Sequence, residues 1–535
     1  MSNPLNPKFP TAQAHDFARV PTLSHKRSAF KCPWRISLAF DAGKLIPLGE
    51  PIEVIPGDTW KIDGTYLCRL NTPIVPFYDN LYLDVHWFFV PNRLVWDNWK
   101  KFMGEKNSPG DSIAYTVPVV TGPGAGFAVE TVYDYMGIPI DKTKNVNALP
   151  LRGYQMIYRD YYKDQNIIDS PTFSTGDGPD TDTVYTVRRR NKPHDYFTSC
   201  LPNPQEGTAQ SIALAGSAPI KGLGAFDTDW DAYTPVAVYE SDGTTPTYTK
   251  AKAVGDASNA RYFLAEKNSG GNYPNIRADL SSVSAVNISQ LRLAIQMQAI
   301  QEMNARGGHR YVEILYSTYG VVNPAESWRP EYLGGSTTPI YIVPVAQTSP
   351  TASSNAQGDL AGYGASLTRG DGFTKSFTEH GYIIPIASVR AEISYTQGLS
   401  RMWTRSTKYD FFNPMLQNVG EQAVLRQEIY LADNDSSSDN TVFGYQERYA
   451  EYMYRTNMKL GKLRPAYSAP LDYWHLSEEF GSAPTLSQTF IECDPPIDRV
   501  VAVTTEPDFT MDCYFDAVAV RPMQMYSIPG FLTRF

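Results

Sequence analysis

The chain has 535 residues, 42% hydrophobic and 19% charged, with 40 Pro, 38 Gly, 35 Tyr, 24 Phe and 9 Trp. This is enough apolar material for a large core and too little charge for a solvated, disordered chain. A net charge of −9 excludes a protein that coats nucleic acid with its whole surface, and no run of about 18 apolar residues exists to form a membrane-spanning helix.

Length alone suggests three or four domains, but β-sandwiches with grown loops break that expectation. The abundance of Pro, Gly and aromatic residues points to such a loop-rich β protein. Residues 1–7 show no basic start followed by an apolar stretch, so no secretory signal is expected. Cys32, Cys68, Cys200, Cys493 and Cys513 are odd in number and lack metal-ligand spacing, and they read as reduced structural thiols.

Residues 1–30 carry Pro4, Pro7, Pro10 and Pro21 without periodicity, which predicts an extended arm. Six basic residues against Asp16 alone make 1–40 net +5. Alternation predicts strands over 34–40 and 81–90, the latter placing Leu81, Leu83, Val85, Trp87 and Phe89 on one face before Pro91 stops it. Asn92 is placed to cap a helix through Val95, Trp99 and Phe102 that ends at Gly104. A second helix is predicted near 150–163, with Leu151, Tyr154, Tyr158 and Tyr161 on one stripe.

Residues 205–285 are turn-rich, and 205–280 hold six basic and nine acidic residues, net −3. The segment reads as a surface insertion. The clearest helix is expected from Ile288 to Arg306, capped by Asn287 with Gln290 at the capping-box position and stopped at Gly307-Gly308. It is apolar on more than one face, which predicts that protein covers it. Further strands are expected at 310–317, 340–345, 382–396, 488–493, 497–503 and 509–520. No internal repeat is present.

Several ordered stretches carry a family likeness. Arg188–Pro202 (RRRNKPHDYFTSCLP), 329–335 (RPEYLGG), 372–377 (GFTKSF), 380–384 (HGYII), 397–403 (QGLSRMW), 444–448 (GYQER) and 495–500 (PPIDRV) resemble the major capsid proteins of gokushoviruses, in the Microviridae. The likeness is weakest at 205–285.

The resemblance implies a mainly β chain, an eight-stranded viral jelly-roll sandwich or barrel with large loop insertions and a few short helices. It further implies a T=1 icosahedral shell around circular single-stranded DNA, with the insertion forming a protrusion at the threefold axes. The partners it implies are further copies of the chain, an internal scaffolding protein, a DNA pilot protein, a small basic DNA-binding protein and a host cell-surface receptor, with assembly in the bacterial cytoplasm. No cofactor and no membrane insertion are expected. The chain divides on this reading into an arm (1–30), the first part of the core (31–204), the insertion (205–285) and the rest of the core (286–535).

Candidate sites follow. Arg188, Arg189, Arg190 and Lys192, beside Tyr196 and Phe197, form a basic cluster interleaved with rings that could hold phosphates and stack bases. The competing reading is pairing with acids at a subunit interface. Lys26, Arg27 and Lys31 in the arm are DNA-facing candidates, or else part of a strap across a neighbouring copy. Asp227, Trp230, Tyr233, Asp242 and Tyr248 are candidates for host attachment on the insertion, or for a spacer at a threefold contact.

Catalytic and metal signals are poor. The seven histidines form no HExxH pair, and the stretch from His475 to Glu479 reads as a surface helix. The glycines at 122–126 read as a loop. A rival class, a β-sandwich carbohydrate binder or hydrolase, would need a carboxylate pair that no motif nominates.

Overall fold

The computed structural model describes residues 27–204, 220–221, 223–225, 238–240, 277–278, 288–322, 328–351, 357–432 and 438–526. Two compact units are present, one of residues 1–204 with 308–535 and one of residues 205–307.

The first unit is built on one antiparallel sheet of ten strands: β1 (Ser28–Lys31), β2 (Trp34–Phe40), β3 (Ile46–Pro47), β4 (Ile52–Val54), β5 (Thr59–Leu70), β6 (Leu81–Pro91), β7 (Glu331–Ala346), β8 (Leu360–Ser376), β9 (Gly381–Ala391) and β10 (Phe509–Arg521). Eight follow one another in the order β1-β10-β5-β8-β7-β6-β9-β3, while β2 also pairs with β10 and β4 with β9. Three strands separate β6 from β10, so a flat sheet would hold them about 19 Å apart at ~4.8 Å per strand. Yet the rings of Trp87 on β6 and Phe515 on β10 pack edge to face with centroids 5.6 Å apart. The sheet therefore curls over onto itself, as expected of a jelly-roll sandwich.

The core explains the curl. On β5, Trp60, Ile62, Tyr66, Cys68 and Leu70 are buried while Lys61, Asp63 and Arg69 are exposed. On β10 the buried set is Phe509, Met511, Cys513, Phe515, Ala517 and Ala519. These two faces meet Leu81, Leu83, Val85, Trp87 and Phe89 of β6 in one cluster. The opposite face of β6, Phe88 and Val90, joins Ile384 and Ile386 of β9 in a second cluster under helix α1 (Leu149–Ile157), which continues as a π turn over Tyr158–Tyr162. β6 is thus covered on both faces. Gly153 of α1 makes the close approach possible, since a Cβ there would stand 3.1 Å from Ile384 Cδ1.

The long connection between β6 and β7 is fixed by a buried ion pair. Arg152 Nε and Nη2 both donate to Asp180 at 2.8 Å, and its Nη1 donates to the carbonyls of Val95 and Gly176. Tyr185 donates its hydroxyl to the same carboxylate at 2.5 Å. Removing one partner of such a buried pair strands the other charge and costs roughly 3–5 kcal/mol.

In the second unit, the pairs 220–221 with 277–278 and 223–225 with 238–240 form two short ladders. The helix expected from Ile288 to Arg306 is present as α2 (Ile288–Gly307). Its expected cover is not: Leu293, Ile295 and Ile300 are exposed, and no described residue of the unit buries them. Asn287 lies outside the described residues.

Other expectations need correction. The segment at 310–317 is helix α3 (Tyr311–Tyr319), not a strand. Glu313 accepts from the Arg310 N–H at 3.2 Å, and Gly320 closes the helix with a left-handed φ of +67°, so local capping overrides the β-branched and aromatic composition. The 488–493 segment is a helical turn over Gln488–Ile491, and 497–499 is a 3₁₀ turn. Asn92 lies inside the turn Asn92–Val95, with Pro91 at its cap. Extended Trp96 separates that turn from a second one over Trp99–Phe102. His475 is buried in extended chain, its Nε2 at 2.7 Å from the Leu463 carbonyl, rather than on a surface helix. All five cysteines are free thiols and four are buried.

Candidate assembly and nucleic-acid surfaces

The basic cluster is built into a seam. Leu45 donates its N–H to the Arg188 carbonyl and Arg190 donates to that of Gly43, while on the other side Cys493 donates to Arg190 and Lys192 to Ile491, all at 2.8–2.9 Å. Gly43 is required there: its φ is +74°, and a Cβ would stand 1.9 Å from the Cys493 carbonyl oxygen.

Held this way, the side chains are spoken for within the subunit. Arg188 Nε donates to Gln155 at 3.1 Å and its guanidinium lies over the Tyr158 ring. Arg189 pairs with Asp494 at 2.7 Å. Arg190 pairs with Asp84, a carboxylate only 3% exposed that also holds Arg390 at 2.8 Å and accepts from the Thr337 hydroxyl at 2.6 Å. Burial works against ionising Asp84, but Arg190, Thr337 and Arg390 outweigh it and keep the carboxyl below its ordinary value. Lys192 is buried, pairs with Glu478 at 2.9 Å and sits over the Phe490 ring. The acids that answer Arg189, Arg190 and Lys192 come from distant parts of the same chain.

Tyr196 and Phe197 are buried in a third cluster with Tyr395, Phe443 and Phe490, so neither ring has a free face for a base in the folded subunit. Tyr196 donates its hydroxyl to Glu428 at 2.9 Å, and Glu428 also holds Arg401. Tyr196→Phe is expected to lower unfolding stability by about 1.5–3 kcal/mol, the usual worth of a hydrogen bond to a charged group. Denaturant titration checks this, and reduced DNA content at unchanged stability would return the ring to the genome.

In the arm, Arg27 donates to the Gly57 carbonyl at 2.5 Å and to the Thr59 hydroxyl at 2.8 Å. Lys31 is exposed and stands 3.7 Å from Asp516 across the β1–β10 pair. Lys26 and the insertion candidates Asp227, Trp230, Tyr233, Asp242 and Tyr248 lie outside the described residues.

A surface that sequence reasoning missed lies at 401–419 with 449–454. Trp403 is 71% and Met415 88% exposed, and Tyr409, Phe411, Phe412, Tyr452, Met453 and Tyr454 are exposed beside them. The loop is nonetheless fixed. Arg401 donates to the Ala423 carbonyl at 2.7 Å, and Arg405 lies over the Tyr452 and Phe411 rings. Asp410 accepts two loop N–H groups, and Tyr449 donates to the Tyr409 carbonyl. The QGLSRMW stretch, with two apolar residues next to an arginine just past the strand expected at 382–396, was the available signal.

Ordered chain that turns this many rings and thioethers toward water is the mark of a subunit that buries them against other subunits. A curled antiparallel sandwich bearing such loops suits a subunit of a larger protein assembly. The comparisons say which kind. Residues 18–531 match the family model described as capsid protein (F protein). Capsid protein VP1 of Bdellovibrio phage phiMH2K is 40% identical over 541 residues, covering 97% of this chain and 98% of the relative. Capsid protein VP1 of Chlamydia phage 1 is 38% identical, with 98% of each chain covered, and that of Spiroplasma virus 4 is 34% identical, covering 97% of this chain and 98% of the relative. The chain belongs to the phage capsid protein (F protein) family, in line with its resemblance to gokushovirus capsid proteins. It is a structural component of the virion that self-assembles into a shell, and not an enzyme.

Proposed function

We propose that copies of this chain close into a T=1 icosahedral shell around a circular single-stranded DNA genome, with the basic arm turned toward the DNA and the 205–285 segment presented to the host receptor. The observation that carries the genome contact is the charge asymmetry: six basic residues and one acid in the first 40 of a chain whose net charge is −9. A basic tail tracking a polyanion gains affinity by releasing condensed counterions, whatever the base sequence. Lys26, Arg27 and Lys31 are the arm residues assigned to this role.

In the cluster at 188–192, Arg189, Arg190 and Lys192 are engaged by acids of their own subunit and Arg188 by Gln155, so its part in DNA contact is secondary to that of the arm on this reading. The exposed residues of α2 offer a further surface for neighbouring copies, which suits a threefold protrusion. The scaffolding, pilot and small DNA-binding partners, and assembly in the bacterial cytoplasm, rest on the family resemblance.

Deleting residues 1–26, which removes Lys8, Arg19 and Lys26, is expected to leave shells that form but carry less DNA. Their ratio of absorbance at 260 to 280 nm should fall, and the remaining DNA should escape at lower salt. Unchanged DNA content in truncated shells would defeat the electrostatic role of the arm.

A further inference from the structure

A cavity of about 450 Å³ opens beside the π turn, lined by Arg159, Asp160, Lys163, Tyr311, Trp328 and Arg329 among others. That volume lies within the ~300–1,000 Å³ typical of small-molecule sites. Two features of this cavity point to a ligand.

The first is an excess of positive charge that the chain only partly answers. Arg159 pairs with Asp160 at 2.8 Å, and Arg310, also on the wall, pairs with Glu313 at 2.9 Å. Lys163 and Arg329 have no acid at ion-pair distance among the described residues. Lys163 donates one proton to the Ile168 carbonyl at 2.8 Å, which leaves its ammonium two more. Burial, and then Arg310, press its pKa below the ordinary lysine value although Asp164 and Asp169 work the other way, a position that a bound anion would relieve. The Arg329 guanidinium lies over the Tyr161 ring, and its Nε is buried without a hydrogen-bond partner.

The second feature is a pair of exposed rings at the same opening. Trp328 is 57% and Tyr311 61% exposed, with centroids 6.1 Å apart and planes at 68°. One ring can lie flat on a planar ligand while the other meets its edge. Aromatic faces beside cations are how proteins hold single-stranded nucleic acid without reading its sequence. An inorganic anion alone would leave the rings unused, and an apolar ligand would leave the cations unused.

We propose that this cavity holds one nucleotide unit of single-stranded DNA, its phosphate on Lys163 and Arg329 and its base on Trp328 and Tyr311. The assignment rests on the genome-enclosing reading above and adds a fixed contact to the sequence-tolerant arm. None of these residues appears among the basic clusters that the sequence nominates, because Lys163 and Trp328 are brought together only by the fold.

The test uses the full-length chain. Filled particles irradiated with ultraviolet light and digested are expected to yield nucleotide adducts on peptides holding Trp328 or Tyr311. Binding of oligothymidylate by disassembled protein, measured by filter retention, is expected to weaken about 5- to 100-fold in Trp328→Ala and in Lys163→Gln/Arg329→Gln. Trp328→Phe should restore most of the lost binding, and circular dichroism controls for folding. Thymidine monophosphate and inorganic phosphate serve as competitors.

If the pocket variants bind as the parent does while deletion of 1–26 abolishes binding, the pocket assignment is overturned and the genome contact of the arm stands. If the parent binds no oligonucleotide at all, the genome reading itself falls. If the mononucleotide binds but filled particles give no adduct here, packaged DNA is overturned as the occupant.

Discussion

Asp84→Ala is expected to cost about 3–5 kcal/mol of unfolding stability, a large part of the 5–15 kcal/mol available to a typical domain. Asp84 is the shared counterion of Arg190 and Arg390, which approach it from the seam and from β9. Removing the carboxylate leaves two half-buried guanidiniums facing each other with no negative charge between them. The expressed chain should become largely insoluble, or melt many degrees lower where it stays soluble. Because the penalty comes from stranded charge, Asp84→Leu combined with Arg190→Met should recover part of the loss. A single Asp84→Ala change that leaves the midpoint of urea unfolding in place would refute this role.

The same carboxylate predicts an acid limit. Its folded pKa lies below the ordinary 3.8, so its contribution is complete above that value and drains away as pH falls through the depressed one. Asp84→Asn should flatten this part of the acid-unfolding curve.

Trp403→Asp combined with Met415→Asp is expected to abolish shells while the subunit stays folded. Both side chains stand in solvent, so their replacement changes monomer stability by roughly 0.5 kcal/mol or less. In a contact between copies the cost is of another order. Truncating a central aromatic anchor typically loses 2 kcal/mol or more, and a desolvated aspartate adds to it. Each lost contact recurs around the lattice, so a modest local penalty becomes an all-or-none effect on closure. The fixed loop sharpens the expectation, because an ordered surface loses little entropy on binding. Electron microscopy of the purified variant should show dispersed subunits where the parent shows closed particles. Shells at parental yield would remove this patch from the assembly interface.

Legibility of the fold followed the inward faces of the strands. β2, β6 and β10 were readable because large apolar residues alternate along one side. β8 was not, since its buried positions include Gly362, Gly364, Ser366 and Thr368, while Leu367 faces outward. β5 has the alternation, but Gly64 interrupts it: a Cβ there would stand 2.1 Å from the Tyr66 hydroxyl. At 310–317 composition pointed to a strand, yet the Glu313 cap made a helix.

The arginine run was visible as charge, but its partners were not. Asp84, Glu478 and Asp494 lie far away along the chain, and only folding shows that the cluster is satisfied inside the subunit. The assembly patch was hidden for the reverse reason. Trp403, Phe411 and Met415 look like core residues until the fold puts them in water.

Among the described residues, β10 is the strand that pairs with β1 and β2 on one side and with β5 on the other, with Ser28 facing Arg521. A ribosome must therefore translate as far as β10 (Phe509–Arg521) before β1 and β2 can find their place, about half a minute to two minutes at ~5–20 residues per second. Until then the nascent chain carries an open edge along β5, ready to pair with whatever strand it meets. Polypeptides aborted before residue 509 cannot close the sheet. Such chains are expected to be handled as misfolded protein, so the threading of the sheet would disfavour incomplete subunits as building blocks of a shell.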